Sequence, residues 1–98
     1  MTYTYSVFIP ETQKTITRHS KRVYTHVAVV VLRYNRTVSA WRNRPMLPIG
    51  TITGAVTFHQ SQEAAVRGER ALASRYRNGW KDLFDVVASY IKPLGIAQ

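Results

Sequence analysis

Hydrophobic and polar residues alternate along much of the first sixty positions, which is the pattern of β-strands. Residues 2–9 place tyrosine, valine and isoleucine on one face and mostly hydroxyl side chains on the other. After the break at Pro10, residues 14–18 predict either a short continuation of this strand or a returning edge strand. Residues 51–59 predict a further strand, in which Gly54 indicates a bulge or close packing.

The strongest strand signal lies between Arg22 and Tyr34. Its centre is apolar at consecutive positions, so we expect a central strand covered on both faces. Residues 37–41 predict a short strand that forms a hairpin with the long one. Residues 42–48 contain two prolines, which prevent regular pairing and predict a loop.

The second half of the chain has helical spacing. Ser61 is a suitable N-cap, and the helix it begins should end near Arg77, before Asn78 and Gly79. Residues 80–91 predict a second helix because their apolar positions recur at helical intervals. Those positions are Trp80, Leu83, Phe84, Val87, Ala88 and Ile91.

These elements predict one α+β domain that spans residues 1–98. It would consist of an antiparallel sheet of about four strands, followed by two C-terminal helices packed on one face. The exposed face of such a sheet offers a surface on which two copies of the chain could pair as a homodimer.

The excess of basic over acidic residues indicates a function in binding. The chain carries 14 basic and 5 acidic residues, for a net charge of +9, and no carboxylate lies between Thr12 and Gln62. Unopposed like charges destabilise a compact domain, and they are tolerated best where an anionic partner lies against them. The composition therefore predicts a polyanionic partner, either nucleic acid or an acidic protein surface.

The predicted binding residues are basic side chains and their apolar neighbours. Arginine forms bidentate contacts with phosphate and carboxylate, and nearby aromatic rings can stack on bases. The alternative is a solvated surface with local ion pairs, but 5 acids cannot neutralise 14 bases. The predicted partner- or nucleic-acid-binding residues are Lys21, Arg22, Arg36, Trp41, Arg42, Arg44, Leu47, Arg67, Arg70 and Arg77.

The aromatic residues allow two interpretations. They could form a base-stacking sheet surface, or they could pack in the core and across strands. The pattern favours the core, because no run typical of RNA-stacking sheets is present. The residues concerned are Tyr3, Tyr5, Tyr24, Tyr34 and Trp41.

Catalytic chemistry finds little support in the sequence. The chain has no cysteine, and no apolar run approaches the roughly 18 residues that a membrane span requires, so we expect a cytoplasmic protein. If His19, His26 and His59 converged they could bind zinc, and a histidine paired with a tyrosine or serine could act as a base in a histidine-dependent hydrolase. The three lack zinc-binding spacing, however, and no nearby carboxylate would orient an imidazole. We therefore expect a non-enzymatic protein with no catalytic residue, metal site or cofactor.

Two segments resemble small accessory proteins of phages and other mobile elements. The first is SKRVYTHVAVV at residues 20–30, and the second is VTFHQSQEAA at residues 56–65. The resemblance implies a small α+β protein without a catalytic motif. Some proteins of this kind are anti-CRISPR inhibitors, which bind host immune complexes stoichiometrically.

The leading hypothesis is accordingly a basic, non-enzymatic inhibitor of a host nucleoprotein defence complex, acting in the bacterial cytoplasm. Because the chain is strongly basic, it would not mimic DNA, and it would bind an acidic protein surface or bound nucleic acid. The alternative is a protein that binds DNA or RNA directly through its arginines. The third hypothesis is the histidine-dependent hydrolase.

Overall fold

The computed structural model describes residues 2–37, 47–94 and 96–97. They form two three-stranded antiparallel sheets and one helix, which continues into a single π-helical turn over Arg75–Gly79. No helix in these ranges is long and apolar enough to cross a membrane. The elements are β1 (Tyr3–Ile9), β2 (Lys14–Ser20), β3 (His26–Tyr34), β4 (Ile52–His59), α1 (Gln62–Ser74), β5 (Phe84–Pro93) and β6 (Ile96–Ala97).

The main sheet has the strand order β4-β3-β5, and the small sheet has the order β2-β1-β6. The two sheets pack together through alternate residues of β3, with Val29 and Val31 against Val7 and Ile9 of β1. The intervening residues of β3, including Leu32, pack against α1 on the opposite face. β3 is therefore central and covered on both sides, as its continuous apolar sequence predicts.

The β1–β2 hairpin confirms the returning strand of the two predicted alternatives. Its register runs from Tyr3 opposite Ser20 to Ile9 opposite Lys14. The connecting turn places Gln13 at φ 58°, in the left-handed region that non-glycine residues seldom adopt. Two backbone hydrogen bonds of 3.1 and 3.2 Å close this turn.

α1 begins as the sequence predicts, because the Ser61 Oγ accepts a hydrogen bond of 3.1 Å from the Ala64 amide. The helix packs on the main sheet through small and apolar residues, namely Ala65, Leu72 and Ala73. Gly68 lies directly against the ring of His59, where a side chain of any size would collide. Small residues thus let α1 lie close to the sheet.

The predicted second helix is wrong, because residues 84–93 form β5, paired antiparallel with β3. A β-bulge explains the error. Val31 pairs with Ala88 and Leu32 pairs with Val86, which leaves Val87 as an extra residue. The extra residue shifts the period-2 alternation by one position and so imitates helical spacing.

The predicted fold class is also wrong as a whole. Over residues 2–37, 47–94 and 96–97 the chain forms two packed sheets with one helix on the outside, instead of one sheet with two helices on its face. The strand predicted at 51–59 is confirmed as β4. Nearly all of the strand predicted at 37–41, and most of the loop at 42–48, lie outside the described residues.

Candidate polyanion-binding surfaces

The predicted binding residues that the structure describes are all exposed, but they do not form one site. Lys21 and Arg22 precede the first residue of β3, and Arg36 follows its last residue, so the nine-residue strand separates them. Arg67 and Arg70 lie on the outside of α1. Trp41, Arg42 and Arg44 lie outside the described residues.

One surface lies where β3 ends, and we call it the Asn35 end. It comprises residues 33–36, 49–50, 80–81 and Asp85. Asn35 joins the end of β3 to the segment that leads into β5. Its amide donates to the Leu83 carbonyl at 2.9 Å, and its Nδ2 donates to the Lys81 carbonyl at 2.9 Å. On the other side, the Gly50 amide donates to the Tyr34 carbonyl at 2.8 Å. These bonds hold three segments in a fixed arrangement.

Aromatic packing supports the Asn35 end from within. The ring centroids of Tyr34 and Phe84 lie 4.6 Å apart. Phe84 in turn meets Tyr76 edge to face, at 5.6 Å and 87°. Edge-to-face pairs of this kind add to the stability that burial alone supplies. The backbone at this end is therefore anchored to the core beneath α1.

The surface of the Asn35 end mixes apolar and basic side chains. Ile49 is 64% exposed and Trp80 is 49% exposed, on either side of Asn35. Arg36 and Lys81 are exposed beside them. An open depression across this end is lined by Arg33, Tyr34, Asn35, Ile49, Gly50 and Asp85.

The one carboxylate in that depression is already engaged. Asp85 pairs with Arg33 at 3.5 Å and accepts a hydrogen bond of 3.4 Å from Asn35. Both side chains of the ion pair are about half exposed, so it contributes little to stability. Arg36 and Lys81 have no ion pair in the described part of the chain.

A second surface, the α1 face, is basic without exposed large apolar side chains in α1. Arg67 and Arg70 lie on it, and Arg75 and Arg77 follow in the π-helical turn, all four exposed. Glu69 turns inward and accepts a hydrogen bond from Ser89 of β5. Because the Glu69 carboxylate is hydrogen-bonded to Ser89, it does not pair with the arginines of this face.

The five carboxylates cannot neutralise the fourteen cations, although Glu63 and Asp82 are exposed and form no salt bridge within the described ranges. Glu11 accepts a hydrogen bond of 2.8 Å from the Tyr90 hydroxyl, and burial together with this contact raises the pKa of Tyr90 to about 12. Glu69 and Asp85 are engaged as described above. Within the described ranges, Arg33–Asp85 is the one salt bridge. The cationic surface is therefore largely unopposed.

The core interpretation is confirmed for two of the five predicted aromatics, because Tyr5 and Tyr24 are buried. Tyr3 and Tyr34 are half-buried, and Trp41 lies outside the described residues. Tyr5 and Tyr24 are 0% and 8% exposed, with ring centroids 5.4 Å apart. The Tyr5 hydroxyl donates to the Arg22 carbonyl and accepts from the Tyr24 amide, each at 2.9 Å. These rings are not available to bases.

The three histidines do not converge. His26 and His59 are register partners on β3 and β4, whereas His19 bonds Thr4 on the hairpin at 3.0 Å. Desolvation lowers the pKa of His59, which contacts Thr57 at 2.7 Å. The described residues contain no group of three or more metal-binding side chains.

Sequence reasoning missed four residues of the Asn35 end, namely Arg33, Ile49, Trp80 and Lys81. It assigned Trp80 to the apolar stripe of a helix that does not form. The signal in the sequence was Gly50, a glycine that follows the proline loop and precedes β4, as expected for a turn. In the structure Gly50 adopts φ 92°. Comparison with known protein families, curated proteins and solved structures finds no match to this chain.

Proposed function

We propose that this protein is a non-enzymatic binding protein that captures an acidic protein surface through the Asn35 end. The observation that carries the proposal is the exposure of Ile49 and Trp80 among the cations of that end. Tryptophan and arginine dominate the energetics of protein interfaces. Tryptophan can also stack on a nucleic-acid base, so the discriminating side chain is Ile49, an exposed aliphatic group that gains only from burial against an apolar surface. A surface that combines these side chains suits a protein partner with acidic groups around an apolar centre.

The rigidity of the Asn35 end supports the same role. Binding costs less when the contact surface is already ordered in the free protein. Hydrogen bonds of 2.8 to 2.9 Å fix the backbone around Asn35, and the Tyr34–Phe84 contact anchors it to the core. Ile49 and Trp80 therefore extend from an ordered backbone.

The partner class follows from the resemblance to mobile-element accessory proteins. We propose that the partner is the acidic protein surface of a host nucleoprotein defence complex in the bacterial cytoplasm, which the protein inhibits by stoichiometric binding. The net charge of +9 favours an anionic partner, and the exposed Ile49 favours a protein surface over nucleic acid.

Titration of purified RNA-guided nuclease complexes tests this proposal. DNA cleavage by a susceptible complex should fall linearly with added protein and end near one protein per complex. Matched titration with an equally basic unrelated protein controls for competition by charge alone. Failure to inhibit any complex of a representative set at tenfold excess would contradict the inhibitory role.

Direct binding to DNA or RNA is the second candidate, and the α1 face favours it. Arg67 and Arg70 lie one turn apart on an exposed helix surface that can follow a phosphate backbone. Phosphate-driven binding weakens steeply as salt rises, because bound counterions are released. A steep salt dependence with labelled oligonucleotides would make the α1 face the primary site.

A further inference from the structure

The outer edge of β2 is an open sheet edge. In the described part of the chain β2 pairs with β1 only, along all seven residues from Lys14 to Ser20. A strand at the edge of a sheet has backbone N–H and C=O groups available to another chain. The edge therefore offers a template for an added strand.

This edge is strongly basic. Lys14 and Arg18 lie on the face of β2 that points toward the main sheet, with Ile16 between them packed against the core. Lys21 and Arg22 follow directly after the strand and are exposed. No acidic residue occurs in β2, so the edge has a single sign of charge.

Arg18 is held in place despite its exposure. Its guanidinium carbon lies 5.5 Å from the ring centroid of Tyr24 and 5.3 Å from that of Phe58. Stacking on aromatic rings leaves the N–H groups of the guanidinium available for a carboxylate. Arg18 is therefore positioned beside the open edge before any partner arrives.

Charge decides which strand fits the edge. If two copies of β2 paired antiparallel, their lysines and arginines would lie on the same face of the joined sheet, and like charges on neighbouring strands repel. An acidic strand places carboxylates on that face instead. The complementarity therefore selects a foreign acidic segment over a second copy of this chain.

We propose that the β2 edge binds an extended acidic peptide segment by strand addition. The bound segment has carboxylates at two positions four residues apart, opposite Lys14 and Arg18, and an apolar residue midway, opposite Ile16. The backbone ladder supplies affinity for any extended chain, and the two cations select the acidic one. The segment belongs to a partner protein and lies in an exposed tail or loop.

A set of three seven-residue peptides tests both parts of the proposal. The probe is TETVTET, which carries glutamate at the second and sixth positions and valine between them. The first control, TKTVTKT, reverses the charges. The second, TETPPET, keeps the glutamates but cannot form a continuous ladder, because proline lacks the N–H donor.

The acidic probe should bind at least roughly tenfold more tightly than either control, as expected for one charge-assisted pair and an intact ladder. Equal binding of TETPPET would overturn strand addition and leave charge attraction alone. Equal binding of TKTVTKT would overturn the role of Lys14 and Arg18.

A charge reversal provides the second test. Arg18→Glu should weaken TETVTET and strengthen TKTVTKT, and this rescue cannot come from a misfolded protein. Loss of binding to both peptides by a folded variant would overturn the assignment of Arg18.

Amide exchange measured by NMR locates the bound strand. TETVTET should slow exchange in β2 and leave β4 unchanged. β4 is the matched control because it is also an edge strand and carries no lysine or arginine. Protection of β4 to the same extent would overturn the assignment to β2.

This inference does not depend on the Asn35 end, which lies at the end of β3, while Arg18 stacks near its beginning. Variants at Ile49 and Trp80 should therefore leave peptide binding unchanged, so the two proposals can fail separately.

Discussion

The Asn35 end and the α1 face are both basic, but they differ in what surrounds the charges. The α1 face presents Arg67 and Arg70 among polar and small residues, with the half-buried Val66 and the carboxylate of Glu63 beside Arg67. The Asn35 end presents Arg36 and Lys81 beside the exposed side chains of Ile49 and Trp80. Both surfaces carry exposed cations, so the presence of positive charge does not distinguish them.

Charged and apolar side chains contribute to binding in different ways. Exposed charges raise association rates and are screened by salt, with a Debye length of about 8 Å at physiological ionic strength. Apolar side chains are removed from water only against a complementary surface, so their contribution depends on the partner's shape. Under the proposed function, the Asn35 end selects the partner and the α1 face supplies non-specific attraction.

The largest expected effect comes from removing the apolar groups of the Asn35 end. The double variant Ile49→Ser, Trp80→Ala should weaken capture of the inhibited complex by about 30-fold or more, which corresponds to roughly 2 kcal/mol. Isothermal titration calorimetry measures this change. The matched control is Phe8→Ser, Val23→Ser, because these side chains are 46% and 48% exposed on other parts of the surface. A similar loss in the control would show that the Asn35 end has no special role.

The second-largest effect concerns the backbone conformation at Gly50. Gly50 in the Asn35 end has φ 92°, so Gly50→Ala should lower the free energy of unfolding by about 1–2 kcal/mol. Gly79, at the end of the π-helical turn after α1, is the control because it lacks a positive φ. Neither glycine has an atom within 4 Å of an added Cβ, so packing is not a factor. Equal costs of the two substitutions in urea denaturation would contradict the strain at Gly50.

The α1 face can be tested by removing two charges. Arg67→Ala, Arg70→Ala should reduce the slope of log K against log salt for oligonucleotide binding by about 2, because each arginine that neutralises a phosphate adds about one unit to the slope. Capture of a protein partner should change little. The control Lys14→Ala, Lys21→Ala lowers the net charge equally at the β2 edge. If both pairs reduce the slope equally, the α1 face is not a preferred phosphate surface.

The smallest effect lies beneath the α1 face, at His59. Desolvation lowers its pKa below the ordinary 6.5, so the unfolded chain binds the proton more readily than the folded one. The stabilising effect of neutral His59 is complete above about pH 6.5 and is lost as pH falls through the folded pKa. Urea denaturation at several pH values should show this decline, and His59→Gln should reduce it. An unchanged pH profile in that variant would assign the decline to other groups.

Local sequence signals predict the parts of this fold that depend on few neighbours. The continuous apolar run of β3 requires cover on both faces, and Ser61 needs only the amide of Ala64 to cap α1. β5 is different, because its alternation is interrupted at the bulge residue Val87. The bulge becomes visible only once the pairing with β3, more than fifty positions earlier in the chain, is known.

The candidate surfaces likewise depend partly on contacts between residues far apart in the chain. The sequence identifies exposed arginines well, because charged side chains are seldom buried. It does not identify Trp80 as an exposed residue of the Asn35 end, since that follows from the hydrogen bonds between Asn35 and the segment leading into β5. The carboxylates engaged by Ser89 and Tyr90 likewise depend on contacts between distant parts of the chain.

The proposed partner is an acidic protein surface and not free nucleic acid. The most direct test measures binding of the protein to an inhibited RNA-guided complex and to its free guide RNA and target DNA, from about 50 to 300 mM salt, a range over which phosphate-driven affinity changes steeply. We predict tight binding to the complex that persists at the highest salt, with weak binding to free nucleic acid that disappears. Equally tight and equally salt-sensitive binding to the complex and to the free nucleic acids would contradict this claim.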